Sequence, residues 1–278
     1  MSGPILPTDQ PIWREHLSQG IALGTLSTNR RYEVQQFCEL LFEESISVQF
    51  AGCGELSEIQ PDSRYEEYCD AGNYFAAQAR ISGKKALSGY TKSQEGLNFP
   101  VFAFDAGLYV HGLRRGGPGC LIKFRAADDI DETALRTLCF EAKINPGGTS
   151  GKITDFIEAG GVRLLNGSLF IFAGSVTGVI TNEPYVVKEV PHAFGFDRCW
   201  APDPILQKER GFISSQEQPK SVAQLMFENP EDPIKIKALF SGRAVFLAAM
   251  GKALGYTLTS FAEEILERNN SKRFEKVP

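Results

Sequence analysis

Two hydrophobic periods alternate along the chain. Gly20-Ile-Ala-Leu-Gly-Thr25 is a short apolar run that stops at small polar residues and predicts a buried strand. Leu26-Ser-Thr-Asn29 predicts a turn. Val34, Phe37, Leu40 and Leu41 then recur at helical spacing and predict a helix from about Arg30 to Phe42. Residues 43–72 are polar and support no assignment. An Ala-rich stretch from Tyr74 to Ala86 predicts a helix with Gly83 as its weak point, and 87–98 a polar loop. Phe99-Pro-Val-Phe-Ala-Phe-Asp105 predicts a core strand ending in a carboxylate, Ala106-Gly107 a turn, Leu108–Val110 a resumed extended run, and Gly116–Gly119 a loop.

The second half changes character. A helix is predicted from Glu132 to about Lys143, followed by a Gly-rich loop at 147–151. Strands are predicted at 152–158, 161–165, 168–173 and 176–181, with Asn166-Gly167 as a two-residue hairpin turn. A polar loop at 201–219 precedes helices at 220–228, 234–254 and 257–269. Residues 1–19 carry three prolines and read as an N-terminal extension, leaving 20–278 as one domain. Mixed α and β elements, then hairpins, then helices predict an α/β fold: a mixed central β-sheet with flanking helices, in two lobes.

Composition narrows the function classes. The 278 residues carry a net charge of −5, so no basic face for nucleic acid is expected, although a local basic pocket for a small polyanion remains compatible. No apolar run reaches the roughly 18–20 residues of a membrane span, and no signal peptide is expected at the N-terminus. The six cysteines form no C-x-x-C pair and the three histidines are scattered, which predicts reduced thiols in a cytoplasmic protein rather than a zinc site.

Four segments could carry chemistry. The strand–turn–helix around Thr25, Ser27 and Arg30 would aim free backbone N–H groups and one fixed positive charge at an anion, although any strand-to-helix connection shares this pattern. Asp105 could bind a metal or act as base toward an attacking water, or merely cap a turn. Phe194-Gly195-Phe196-Asp197 could place a ring and a carboxylate against a flat ligand, or form a core aromatic pair beside a turn. Lys237, Ser241 and Arg243 would share one region of the predicted 234–254 helix and could clamp phosphate, or form a solvated basic stripe with Lys235 and Lys252.

Taken in this order, the segments resemble the inosine triphosphate pyrophosphatase family. Thr25-Leu-Ser27-Thr-Asn-Arg30-Arg-Tyr-Glu33 resembles the opening Thr-Gly-Asn motif with its Lys and Glu, Ser27 standing for Asn and Arg30 for Lys. Phe104-Asp105-Ala-Gly-Leu-Tyr-Val110 resembles Asp-Asp-Ser-Gly-Leu-x-Val, and Leu113 to Pro118-Gly119 the following Leu-x-Gly-x-Pro-Gly. Gly178-Val-Ile180-Thr-Asn-Glu-Pro184 resembles Gly-x-Ile-x-x-x-Pro. Phe194-Gly195-Phe196-Asp197-Arg198 resembles the Phe-Gly-Tyr-Asp-Pro that stacks on and reads the purine, and Lys237 to Ser241-Gly242-Arg243 the closing Lys-x-x-x-Ser-His-Arg.

The resemblance implies hydrolysis of non-standard purine nucleoside triphosphates to monophosphate and pyrophosphate with magnesium, in a homodimer with a nucleotide cleft between its lobes. It implies Asp105, Arg30 and Lys237 as catalytic residues and Asp105 as metal ligand. Thr25, Ser27, Arg30, Phe194, Gly195, Phe196, Asp197, Lys237, Ser241 and Arg243 would bind substrate. Three positions depart: a metal-binding glutamate falls on Ala77, the first aspartate of the pair on Phe104, and the closing histidine on Gly242. Glu66, Glu67 and Asp70 are the nearest substitutes in sequence. The pattern keeps nucleotide-binding groups and loses metal ligands. The expectations are therefore an active nucleotide hydrolase, a nucleotide-binding protein that has lost hydrolysis, or a bare scaffold with Arg30, Lys237 and Arg243 turned to solvent.

Overall fold

A computed structural model describes residues 22–23, 28–46, 59–93, 101–111, 113, 115, 117, 119–120, 136–137, 139, 153–163, 168–186, 190–193, 195–274 and 276–278. Among the described residues, six strands form one mixed sheet: β1 (Ala22–Leu23), β2 (Val101–Val110), β3 (Ile153–Arg163), β4 (Leu169–Ile180), β5 (Trp200–Pro202) and β6 (Asn270–Phe274). They pair in the order β1-β2-β3-β4-β5, with β6 also on β4. β1 runs parallel to β2, whereas β5 and β6 run antiparallel to β4. The predicted α/β class with a mixed sheet is thus the observed one. The chain divides into two compact units, Met1–Asp105 with Glu158–Ser175 and Gly242–Pro278, and Ala106–Ile157 with Val176–Ser241.

In the first unit, α1 (Thr28–Leu41) buries Val34, Phe37, Cys38 and Leu41, a stripe at helical spacing. Asp62 caps α2 (Ser63–Asp70) by accepting from the Tyr65 N–H at 2.9 Å. α3 (Tyr74–Ser93) follows, and runs seven residues beyond the predicted Ala86 end. α7 (Gly242–Ala253) is apolar on all sides, with Ala244 through Ala248 all buried, as a core helix must be. Glycine in β3 lets both helices approach the strand. A Cβ on Gly160 would stand 2.7 Å from the rings of Phe102 and Phe246, and one on Gly161 would stand 2.9 Å from Ala86. One face of the strand therefore receives α7 and the other receives α3.

These contacts explain two departures from the predicted strands. Four predicted segments fuse into the two long strands β3 and β4, because Gly160-Gly161 and Gly174 serve close packing rather than turning. A Cβ on Gly174 would collide with the Gly242 carbonyl and with the Phe246 N–H. The predicted hairpin turn at Asn166-Gly167 and the arm at 1–19 lie outside the described residues. Likewise, β2 continues through Ala106-Gly107 without a turn, so Asp105 sits mid-strand. The strand β6, which lies beyond the last predicted helix and is not assigned from sequence, is polar and exposed over Asn270–Lys272, which suits an edge strand. α8 (Ser260–Arg268) precedes it, capped by the Thr259 side chain.

In the second unit, Phe156 stands 4.5 Å from Phe196 and 5.6 Å from Trp200, centroid to centroid. Trp200 satisfies its indole N–H by donating to Thr154 Oγ1 at 2.6 Å. Three short helices follow: α4 (Pro204–Glu209), α5 (Val222–Glu228) and α6 (Pro233–Leu239), with N-caps Asp203, Ser221 and Asp232. Proline at the first turn fits α4 and α6, where its missing N–H is no loss. The predicted 234–254 helix is two helices, α6 and α7, separated at Phe240-Ser241. Most of the predicted 132–143 helix lies outside the described residues.

Candidate functional site

The first unit holds one cation between two carboxylates. Arg243, the second residue of α7, donates from Nη1 to Glu33 at 2.7 Å and from Nη2 to Glu158 at 2.6 Å. Its backbone N–H also donates to Glu158 at 2.6 Å, so a carboxylate on β3 satisfies a free N–H at the start of the helix. The guanidinium lies 4.3 Å over the Phe104 ring. All three ionic side chains are 5% exposed or less. The Arg243 guanidinium thus lies over Phe104 on β2 and pairs with Glu158 on the neighbouring strand. Sequence reasoning missed Glu158. Its signal was an acid at an alternate position of an apolar strand, in phase with Phe156 and Gly160.

Asp105 lies on the opposite face of β2. Lys85, on α3, approaches it at 3.4 Å, with side-chain exposures of 7% and 10%. Lys85 also escaped the sequence reading, although it shares a helical face with Gln78, Ile81 and Ser82, all buried. Phe104 and Asp105 face opposite ways from β2 by strand alternation, so Arg243, which covers Phe104, lies on the other face of the strand from Asp105.

Magnesium needs several hard oxygen ligands. Among the described residues, the donor set at Asp105 does not fit it. Ala77 is fully buried without a side-chain oxygen, and Phe104 packs beneath a guanidinium. Asp105 already faces an ammonium group. Glu66, Glu67 and Asp70 are exposed on α2, with Glu67 paired to Arg64 at 2.7 Å. Among the described residues, no three His, Cys, Asp or Glu side chains gather as a metal site.

The second unit holds its own buried pair. Lys237, in the last turn of α6, meets Asp197 at 3.1 Å, and both side chains are about 5–6% exposed. Lys237 also donates to the His192 carbonyl at 2.7 Å. His192 adopts φ 64, a left-handed conformation unfavourable for a residue with a Cβ. Asp197 belongs to a single 3-10 turn, Phe196–Arg198, preceded by the buried Gly195. Phe196 packs against Phe156, as an aromatic pair. A pocket of about 380 Å³ opens in this unit, lined by Ile180, Pro184, Tyr185, Pro204, Pro219 and Gln224 among others. It takes in all of the Gly178–Pro184 motif but its first residue, and none of the predicted site residues.

Four of the predicted residues, Asp105, Asp197, Lys237 and Arg243, thus fall into three buried ionic groups. The solvated basic stripe does not exist: Lys237 and Arg243 are each 4% exposed, and the break at Ser241 puts them on different helices. Of the three side chains that the scaffold reading places in solvent, Lys237 and Arg243 are therefore buried. Ser241 is buried just ahead of α7. Arg30 lies in α1, but its side chain, and Thr25, Ser27 and Phe194 altogether, lie outside the described residues. The cysteines Cys38, Cys69, Cys120, Cys139 and Cys199 are all buried free thiols, as expected, while Cys53 lies outside the described residues. Among the described residues, no helix is long and apolar enough to cross a membrane.

No known family model matches the sequence. No curated protein sequence matches it either. Solved structures do. A HAM1 protein from Coxiella burnetii is similar over 84% of this chain and 98% of its own, with a TM-score of 0.54 at 18% identity. A nucleoside-triphosphatase, dITP/XTP pyrophosphatase, from Mycobacterium abscessus matches over 83% and 97%, with a TM-score of 0.49 at 18% identity. The Staphylococcus aureus Ham1 protein matches over 76% and 99%, with a TM-score of 0.44 at 17% identity. The first of these establishes the fold of this chain as that of the HAM1 structure.

Proposed function

We propose that this chain, built on the Ham1 fold, is a purine-nucleotide-binding protein of nucleotide metabolism. The observation that carries the reading is the burial of ionic side chains at the positions the sequence resemblance assigns to nucleotide. A buried ion pair returns little net stability, because desolvating two charges offsets their attraction. Apolar residues of similar size would serve a mere scaffold as well. Arg243, Lys237 and Asp197 are nonetheless kept, buried and paired. Arginine suits phosphate or a base carbonyl through its planar fork, and Asp197 can accept from a base edge. Calorimetry with inosine and guanosine mono- and triphosphates tests the reading: saturable binding weakened in Lys237→Met supports it, and absence of binding to any of them refutes it.

A second reading adds turnover, the hydrolysis of non-standard purine triphosphates to monophosphate and pyrophosphate. The persistence of Asp105 favours it. Pyrophosphate release that falls in Asp105→Asn would support it, and equal release by wild type and variant on every triphosphate would refute it. The same resemblance brings a homodimer and a cytoplasmic setting with it, and sedimentation velocity tests the first.

A further inference from the structure

We propose that the ammonium group of Lys85 is the resident cation of Asp105, that the chain binds no divalent metal there, and that its nucleotide binding is independent of magnesium. The part concerning nucleotide rests on the function proposed above; the part concerning metal does not.

Three observations lead to it. Lys85 and Asp105 stand 3.4 Å apart with both side chains nearly dry. In such surroundings a charge must be compensated nearby, and each of these groups supplies the other's counter-charge. A divalent ion at Asp105 would place two further positive charges beside an ammonium, with repulsion weakly screened by solvent. Finally, among the described residues no three His, Cys, Asp or Glu side chains gather as a metal site, and Ala77, where the sequence resemblance would put a further ligand, is fully buried without a side-chain oxygen. Magnesium holds its waters tightly and yields them to clustered carboxylates and phosphates, which a single lysine-paired carboxylate does not replace.

A lysine in this place is fixed to the chain, whereas a metal exchanges with solvent and arrives with the substrate. The cation then sits on α3 whether or not nucleotide is present, and chelators leave it untouched. An ammonium also offers N–H donors rather than an open coordination position, so it can neutralise an anion but cannot activate a water as a metal does.

The test is Mn2+ titration of the full chain, followed by electron paramagnetic resonance of the free ion, in wild type, Lys85→Gln, Asp105→Asn and Lys85→Arg. Wild type and Lys85→Arg are expected to bind no Mn2+ that Asp105→Asn fails to bind. Lys85→Gln is expected to gain a weak site by freeing the carboxylate. Mn2+ bound by wild type and lost in Asp105→Asn overturns the proposal, even should Lys85→Gln fail to fold. In parallel, wild-type affinity for inosine triphosphate is measured with magnesium and with chelator. Agreement within about twofold, under 0.5 kcal/mol, supports the proposal. Binding that requires magnesium overturns it. Absence of nucleotide binding in both conditions refutes the functional reading instead, and the Mn2+ result then decides this inference alone.

Discussion

Glu158 meets Arg243 at two points, once at the guanidinium and once at the backbone N–H, each at 2.6 Å. One side chain on β3 thereby fixes both the cation and the helix that carries it. Arg243 stands between two carboxylates, so removing it leaves two buried like charges, whereas removing Glu158 leaves an arginine that keeps Glu33. Arg243→Met is expected to destabilise the protein by about 3–5 kcal/mol. Glu158→Gln, which keeps an acceptor, is expected to cost about 1–3 kcal/mol. Urea unfolding of the two variants checks the order; equal or reversed losses would contradict the geometry.

Lys237→Met isolates the second unit's pair. Asp197 would remain buried without its ammonium partner, and the His192 carbonyl would lose its donor. A loss of about 3–5 kcal/mol is expected, and Lys237→Arg should recover part of it. Thermal unfolding measures both. If Lys237→Met unfolds with wild type, the pair is solvated rather than buried.

These ionic groups show what the sequence could and could not reveal. The mixed sheet with its flanking helices was readable. The partners were not. Glu158 and Lys85 lie 85 and 20 positions from the residues they serve, and strand alternation or helical phase marks them as facing inward without saying toward what. The break between α6 and α7 was hidden because Ala-Leu-Phe-Ser-Gly-Arg-Ala continues an apolar pattern, and the close approach of Gly174 to the start of α7 involves a residue outside that segment. The glycines of β3 and β4 misled for a similar reason, since packing and turning call for the same residue.

Gly160→Ala tests that packing directly. The added methyl would sit 2.7 Å from Phe102 and Phe246, two rings that already touch at 5.9 Å between centroids. Overpacking of this kind costs about 1–3 kcal/mol. At Gly174 the obstacle is backbone, which yields less than a side chain, so Gly174→Ala should lose more. Denaturant midpoints decide; a neutral Gly174→Ala would contradict the described approach of α7 to the sheet.

Asp62 sets an acid limb of stability. Arg80 and Lys84 hydrogen-bond its carboxylate, and Arg80 also holds the Pro278 carbonyl at 2.6 Å. The Arg80 guanidinium, chiefly, holds the Asp62 carboxyl well below the usual carboxylate range, with Lys84 and the Tyr65 N–H adding to it. A depressed carboxyl stabilises the folded state at pH above its unfolded value of about 3.9, and that contribution is lost as pH falls through and below it. Wild type should therefore lose stability more steeply than Asp62→Asn on acidification below about pH 4. Parallel curves would show that the contact is not populated.

Cys38 sets an alkaline counterpart. Burial, with Glu39 nearby, pushes its thiol up to about 12. An unfolded thiol ionises near pH 8.5, so folding stability is expected to fall as pH rises above that value, and native Cys38 should resist iodoacetamide at mild alkaline pH. Peptide mapping after labelling checks it; rapid native labelling would contradict the burial of α1.

The most direct test of nucleotide binding is isothermal calorimetry of the intact chain with inosine triphosphate in chelator. Saturable binding, lost in Lys237→Met at a temperature where that variant remains folded, is the result predicted. A flat titration with inosine and guanosine mono- and triphosphates alike, with or without magnesium, would contradict it.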